Sequence, residues 1–311
     1  MSSLKKILPL IIITLFALLI FYYYQKNQKD FLIIGKLDQI LMFQIIFLCF
    51  LYMLTEGLLL KNIVIFLGNK ISIFKSFLIM NATYFCNTFI QFSGLGYRVY
   101  YLKKFKGLKI SEILRYSLDT IACELIIFSF IGILSLLFID FNSENIKVSL
   151  YLYLSFILFF LSSLMYLFFL NLIISKIKIF FNNLKFFSLD KVFLFFLDKK
   201  ANSIIFYKKQ FLIFCIQYII LFLIFFLILK KIEISNYFDL SLLITSLVDF
   251  SFLIAITPYS VGISEFVTFI GTRDIPLTFA EIIILINIFR ISMIIIYFIC
   301  GPIFILINLK R

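Results

Sequence analysis

Long unbroken apolar runs alternate with short basic segments along the 311-residue chain. About 20 apolar residues are enough to cross the hydrocarbon core of a membrane as a helix. A membrane barrel would instead show segments of about ten residues that alternate between apolar and polar. The pattern therefore predicts an all-α polytopic membrane protein. The full spans are predicted at residues 7–24, 39–60, 113–139, 148–175, 210–229 and 280–309.

Two further apolar stretches, 72–93 and 240–270, are ambiguous. The first leads into FSGLGYRVYYLKKFKG (Phe92 to Gly107), which carries four cations within nine residues. If every apolar stretch crossed the membrane, this basic block would lie outside the cell, against the positive-inside bias. If both stretches enter the bilayer and return, the block and most of the chain's 29 cations lie in the cytoplasm. We therefore predict six full spans plus two re-entrant broken segments, with eight spans as the alternative.

This topology predicts an internal repeat. The order span, span, re-entrant segment, span occurs in residues 1–147, beginning inside, and again in residues 148–311, beginning outside. Together the two halves form one transmembrane domain. Inverted repeats of this kind are typical of transporters that work by alternating access.

Glycine and proline mark the predicted helix breaks, at Gly94, Gly96, Pro258 and Gly262. Broken backbone at membrane depth is tolerated where it is buried in protein or lines a wet cavity. The alternative, that Gly94 and Gly96 begin a nucleotide-binding loop, is disfavoured because the third glycine is missing and no strand precedes them.

Composition narrows the possible ligands. The net charge of +13 lies in short loops between apolar runs, which predicts contact with lipid headgroups rather than with nucleic acid. The chain has no histidine, and its five cysteines are isolated within apolar segments. We therefore expect no metal site and no cofactor. The protein is expected in the cell (inner) membrane, with both termini cytoplasmic.

Ionisable residues inside the spans are the strongest candidates for function, since an unpaired charge at the bilayer centre costs roughly 3 kcal/mol or more. Asp119, Glu124 and Asp249 are predicted to form an intramembrane charge network. Arg290 is predicted to pair with Glu124 or with Asp249, in either a structural or a transport role. Arg115 and Asp119 are four residues apart, so they could form a structural salt bridge on one helix face. Glu56 is interpreted as interfacial.

Three residues are candidates for binding a lipid headgroup: Arg98, Arg290 and Glu265. Arginine can hold a phosphate through two parallel hydrogen bonds. The alternative for Arg98 is an anchor at the membrane interface. The alternative for Glu265 is an acid at a helix N-terminus, where the helix dipole favours it.

The sequence resembles a known family in two patches, FSGLGYRVYYLKKFKGLKISEILRYSLD and ITPYSVGISEFVTFIG, with Arg290 further on. Gly96, Arg98, Lys103 and Lys104 in the first patch, and Pro258, Gly262 and Glu265 in the second, match the membrane (flippase) domain of the lysylphosphatidylglycerol synthase family. The chain departs from that pattern at Tyr97, where an acidic residue is common, and at Leu125, which replaces the arginine of a Glu-Arg pair.

The resemblance implies a lipid translocase, which moves an anionic or polyprenyl-phosphate-linked headgroup between leaflets. We find no soluble aminoacyl-transferase domain in these residues, so we do not expect an enzyme, although a separate transferase or glycosyltransferase is an expected partner. Two alternatives stay open. One is a membrane partner or enzyme of lipid-linked glycosyl transfer, with Asp119, Glu124 or Glu265 as acid or base, and the other is a small-solute transporter.

Overall fold

The computed structural model describes residue 25 and residues 37–89, 92–138, 146–169, 203–234, 236–253, 260–272 and 277–309. These residues are helical and contain no strand. The helices are α1 (Gln39–Phe66), α2 (Ile73–Phe89), α3 (Ser93–Lys106), α4 (Ile110–Phe138), α5 (Ile146–Leu164), α6 (Ser203–Lys231), α7 (Tyr237–Leu253), α8 (Ile263–Gly271) and α9 (Phe279–Leu309). A π-helical turn, Met165–Phe169, follows α5. The predicted span 7–24 and Pro258 lie outside the described residues.

Five of the described helices are long and apolar enough to cross a membrane: α1, α4, α5, α6 and α9. They coincide with the predicted spans from 39–60 onward. Their buried faces contribute to a large apolar core and to a smaller cluster where α4, α5 and α7 meet, while large side chains such as Phe43 and Leu212 remain exposed on the outside. The protein is therefore an all-α, multi-pass membrane protein, as predicted.

The two ambiguous stretches are both broken into a pair of helices. α2 and α7 have 17 residues each. At 1.5 Å per residue they reach about 26 Å, short of a hydrocarbon core of about 30 Å. A residue with positive φ precedes the second helix of each pair: Phe92 (φ 62°) before α3 and Gly262 (φ 83°) before α8. Gly262, one of the predicted break positions, thus lies directly before a helix start, and glycine adopts positive φ there without strain.

The first break lies earlier than predicted. Gly94 and Gly96 are inside α3 rather than in the turn. A Cβ atom at Gly94 would overlap the carbonyl oxygen of Thr83, whereas one at Gly96 would face open space. Gly94 is therefore needed for the close contact between α2 and α3, and Gly96 is not a hinge.

The α2–α3 pair returns to the end of α1 from which it starts. Lys106, at the end of α3, donates a hydrogen bond of 2.6 Å to the carbonyl oxygen of Lys70, just before α2. At the opposite end of α1, Asp38 forms an ion pair of 2.6 Å with Lys231. The basic block thus lies on the same side as the loop that enters α2, which is the geometry a re-entrant segment requires.

Helices α1 and α6 pack antiparallel at the centre of the protein. Asn62 near the end of α1 donates to the carbonyl oxygen of Phe206 near the start of α6, and Lys231 at the end of α6 reaches Asp38. The surrounding contacts occur in matching pairs. The contact between α1 and α2 corresponds to that between α6 and α7. The contact between α2 and α9 corresponds to that between α7 and α4. The contact between α1 and α9 corresponds to that between α6 and α4.

Candidate functional site

Two adjoining cavities lie between the central helices. One has a volume of about 240 Å³ and is lined by Asp249 and Arg290, so we call it the Asp249 cavity. The other has a volume of about 470 Å³ and is lined by Arg98, so we call it the Arg98 cavity. Both cavities share four lining residues: Glu56, Tyr84, Asn87 and Glu124.

The broken segments supply much of this polar lining. Asn87 lies near the end of α2, where its side-chain oxygen accepts a hydrogen bond of 2.8 Å from the backbone nitrogen of Gly94. Ser93 donates to the carbonyl oxygen of Cys86 at 2.7 Å. Ser260, in the second break, donates to the carbonyl oxygen of Ser251 at 2.9 Å. These bonds satisfy backbone groups that the breaks leave without helical partners.

Three carboxyl groups, which we call the acidic wall, line the Asp249 cavity, and two of them, Glu56 and Glu124, also line the Arg98 cavity. Glu124 on α4 and Asp249 on α7 line the same cavity. Asp249 is 2% exposed, and its Oδ2 atom has no hydrogen-bond partner. Glu56 on α1 accepts a hydrogen bond of 2.7 Å from the side-chain amide of Gln217. The structure thus places Glu56, Glu124 and Asp249 around one cavity.

The interpretation of Glu56 as interfacial is wrong. The residue is 9% exposed and lines both cavities. The sequence carried a signal for this, because Glu56 lies well inside the apolar helix α1 rather than at its end. Its nearness in sequence to Lys61 was misleading.

Asp119 does not join this wall. Its Oδ2 atom accepts a hydrogen bond of 2.9 Å from the hydroxyl of Tyr207 on α6. Asp119 is also absent from the lining of both cavities. The predicted network therefore divides, since Glu124 lies five residues further along α4 and faces another direction.

Arg290 pairs with Glu265 and not with Glu124 or Asp249. Its Nη1 atom lies 2.5 Å from Glu265 Oε1, and its Nη2 atom lies 3.3 Å from Oε2. Asn287 and Ser264 accept two more hydrogen bonds from the same guanidinium, at 3.0 Å and 2.7 Å. The prediction was wrong because α8 packs on α9 and places Glu265 directly against Arg290.

Glu265 also caps its own helix. Its Oε2 atom accepts a hydrogen bond of 2.9 Å from the backbone nitrogen of Gly262 and one of 3.0 Å from Ser264. The residue is fully buried in the first turn of α8. The alternative interpretation, an acid at a helix N-terminus, agrees with this geometry.

Arg98 has no comparable partner. Its Nη2 atom donates to Ser117 Oγ at 3.2 Å, its Nη1 atom lies 3.8 Å from the sulfur of Met80, and its Nε atom has no partner. In the part of the chain that the structure describes, no carboxylate oxygen lies within 4.0 Å of its guanidinium. Arg98 lines a cavity whose lining also contains Glu56.

The Arg98 cavity opens among apolar side chains. Phe92, Leu118 and Ile121 line it and are also 67%, 42% and 38% exposed. Leu118 and Ile121 lie on the spanning helix α4, well inside its ends. The cavity therefore combines a charged interior with a rim of exposed hydrophobic groups on a membrane-spanning helix.

The comparisons with known proteins agree with this membrane architecture. The family model described as "Lysylphosphatidylglycerol synthase TM region" matches residues 6–301. No curated protein and no solved structure matches the chain. The family match covers nearly all of the sequence and includes both broken segments and both cavities. The chain thus belongs to the family of lysylphosphatidylglycerol synthase transmembrane regions.

Proposed function

We propose that this protein is a membrane lipid translocase of the flippase type, which moves an anionic or polyprenyl-phosphate-linked headgroup between leaflets. One observation carries the proposal. The Arg98 cavity has a charged interior and an apolar, exposed rim on a spanning helix. A lipid fits such a cavity, because its headgroup can enter while its tails stay among the hydrophobic groups outside. A small polar solute would not need the exposed apolar side chains at the rim of the cavity.

Arg98 is the residue we propose for headgroup binding. A guanidinium can present two parallel donors to a phosphate, and this pairing is strongest where water is excluded. Arg98 has donors to offer, because its contacts are with the neutral groups of Ser117 and Met80. Arg290 and Glu265, which we also predicted to bind the headgroup, satisfy each other. We now assign them to holding α8 against α9.

The helix packing supports movement by alternating access. α1 and α6 are antiparallel, and the contacts of α1, α2 and α4 are matched by those of α6, α7 and α9. We propose that these segments belong to the inverted repeats 1–147 and 148–311. A change in how α1 and α6 pack would then open the cavities toward one leaflet or the other.

The contacts of the acidic side chains favour transport over catalysis. Of the acids that could serve an enzyme, Asp119 is held by Tyr207 and Glu265 by Arg290. We therefore propose that these 311 residues carry no transferase activity and that a separate transferase or glycosyltransferase makes the lipid. We place the protein in the cell inner membrane with both termini in the cytoplasm, on the basis of the basic block around Lys104.

Mass spectrometry of co-purified lipids tests the proposed binding. Wild-type protein and Arg98→Gln would be purified in the same mild detergent, with Lys104→Gln as the control, since Lys104 is exposed and outside the cavities. We expect a phosphate-bearing lipid with wild type and Lys104→Gln, and at least a tenfold loss of that lipid with Arg98→Gln. Equal retention by all three proteins would contradict the proposal. Retention of a soluble solute and no lipid would favour the small-solute alternative.

A further inference from the structure

Glu124 and Asp249 place two carboxyl groups in the lining of one cavity between the helices. Neither forms an ion pair among the residues that the structure describes. Two carboxylates that share a site of low polarity cannot both ionise without a large cost in free energy. We therefore expect the pair to hold at least one proton and to carry at most one negative charge.

No cation neutralises this pair in the described residues. The charged and titratable side chains that line the Asp249 cavity with it come from three other helices: Tyr52 and Glu56 on α1, Tyr84 on α2 and Arg290 on α9. Arg290 is engaged by Glu265 at 2.5 Å. On α6, the hydroxyl of Tyr218 donates to the carbonyl oxygen of Leu242 on α7. Arg98 on α3 lines the Arg98 cavity and not the Asp249 cavity.

One atom of the pair is available to the cavity. Asp249 lines the Asp249 cavity while being 2% exposed, and its Oδ2 atom has no hydrogen-bond partner. Buried polar atoms without a partner are rare in proteins and call for an explanation. A second proton could bind at this oxygen and form an O–H bond.

We propose that Glu124 and Asp249 form a proton-binding site that alternates between one and two protons, and that the second proton travels with the lipid headgroup. This inference rests on the proposed function. A phosphate bound at Arg98 brings negative charge to the acidic wall of the same cavity system, and a proton at Asp249 Oδ2 offsets it. Because coupling between two binding sites is reciprocal, the proton also favours headgroup binding. Headgroup and proton therefore move in the same direction.

Infrared spectroscopy tests the proton site without any transport. The purified protein should show the C=O stretch of a protonated carboxyl group, and this band should shift in D₂O. Asp249→Asn should lose the band, because it removes the second negative charge that keeps a proton on the pair. Asp119→Asn is the matched control, a buried aspartate on another helix face that should leave the band unchanged. A missing band in wild type, or one that survives both Asp249→Asn and Glu124→Gln, would overturn the site.

Lipid translocation in proteoliposomes tests the coupling. For one coupled proton, a gradient of one pH unit should shift the leaflet distribution of a fluorescent phosphatidylglycerol by up to about tenfold toward the side to which protons flow. Asp249→Asn should not respond to the gradient. Wild-type translocation that ignores the gradient would overturn the coupling alone. No translocation under any gradient would overturn the proposed function and the coupling with it, while the infrared result still decides the proton site.

Discussion

Arg290 on α9 and Glu265 on α8 form a buried ion pair, with Nη1 and Oε1 2.5 Å apart and neither side chain more than 7% exposed. The pair is completed by Ser264 and Asn287, which accept hydrogen bonds from the same guanidinium. It fixes the short helix α8, which follows a break in the chain, to the long spanning helix that comes after it.

Loss of one partner of this pair should destabilise the protein. Arg290→Gln or Glu265→Gln alone leaves a buried charge without a partner, and we expect a cost of about 3 to 5 kcal/mol in the free energy of unfolding. The double variant should recover most of that loss, because neither charge remains. Melting temperatures of the four proteins in detergent measure this coupling. A double variant no more stable than the worse single one would refute the assignment.

The same series of variants distinguishes Glu265 from Glu124 and Asp249, which are the partners of Arg290 that the sequence predicted. Combining Arg290→Gln with Glu124→Gln or with Asp249→Asn should give no rescue, because the carboxylate that pairs with Arg290 is that of Glu265. Rescue by either change would show that, in the purified protein, Arg290 pairs with that carboxyl group and not with Glu265.

Two neighbouring glycines should respond in opposite ways to the same substitution. Gly94→Ala places a Cβ atom against the backbone of Thr83, so α2 and α3 must separate. We expect a loss of about 1 to 3 kcal/mol, in the range for overpacking. Gly96→Ala enters open space within a helix and should be neutral or stabilise by roughly 0.5 to 1 kcal/mol. The check is thermal unfolding of both variants, and equal effects would mean that α3 packs differently.

The side of the membrane that α3 faces can be read by thiol labelling. Lys104 lies in the basic block beside the loop before α2, while Lys230 lies at the other end of α1, next to the Asp38–Lys231 pair. In a background without cysteine, Lys104→Cys should be shielded from an impermeant reagent added outside the cell, and Lys230→Cys should react. Labelling of position 104 from outside would exclude the re-entrant topology and the inverted repeat.

Asp38 provides a pH-dependent contribution outside the spans. The hydrogen bond from Lys231, and then that from the backbone nitrogen of Leu41, lower the pKa of its carboxyl group. A lowered pKa in the folded state means that this stabilisation is present above the usual aspartate range and is lost as the pH falls through the lowered value. Lys231→Gln should therefore be slightly less stable than wild type near neutral pH, and the difference should vanish in acid. A constant difference across this range would contradict the ion pair.

Hydropathy and glycine content predicted the elements of the fold well, but they did not predict the contacts between those elements. Span length and the positive-inside bias depend on local sequence, so they located α1, α4, α5, α6, α9 and both broken segments. The partner of Arg290 depends on how α8 is rotated against α9, which no periodicity in a nine-residue helix reveals. Glu56 was misjudged for a similar reason, because its burial comes from Gln217 on α6, far away in sequence. The turn at Phe92 was misplaced because glycine also serves close packing, as Gly94 does here.

Translocation of a fluorescent anionic phospholipid in proteoliposomes tests the central claim most directly. Wild-type protein and the surface control Lys104→Gln should move the lipid between leaflets at similar rates, whereas Arg98→Gln should be at least tenfold slower while melting at the same temperature. Arg98→Lys should recover only part of the rate, because a point ammonium cannot reproduce the two parallel bonds of a guanidinium to phosphate. If wild-type protein moves the lipid no faster than empty liposomes, or if Arg98→Gln moves it as fast as wild type, this protein does not translocate lipid through the Arg98 cavity.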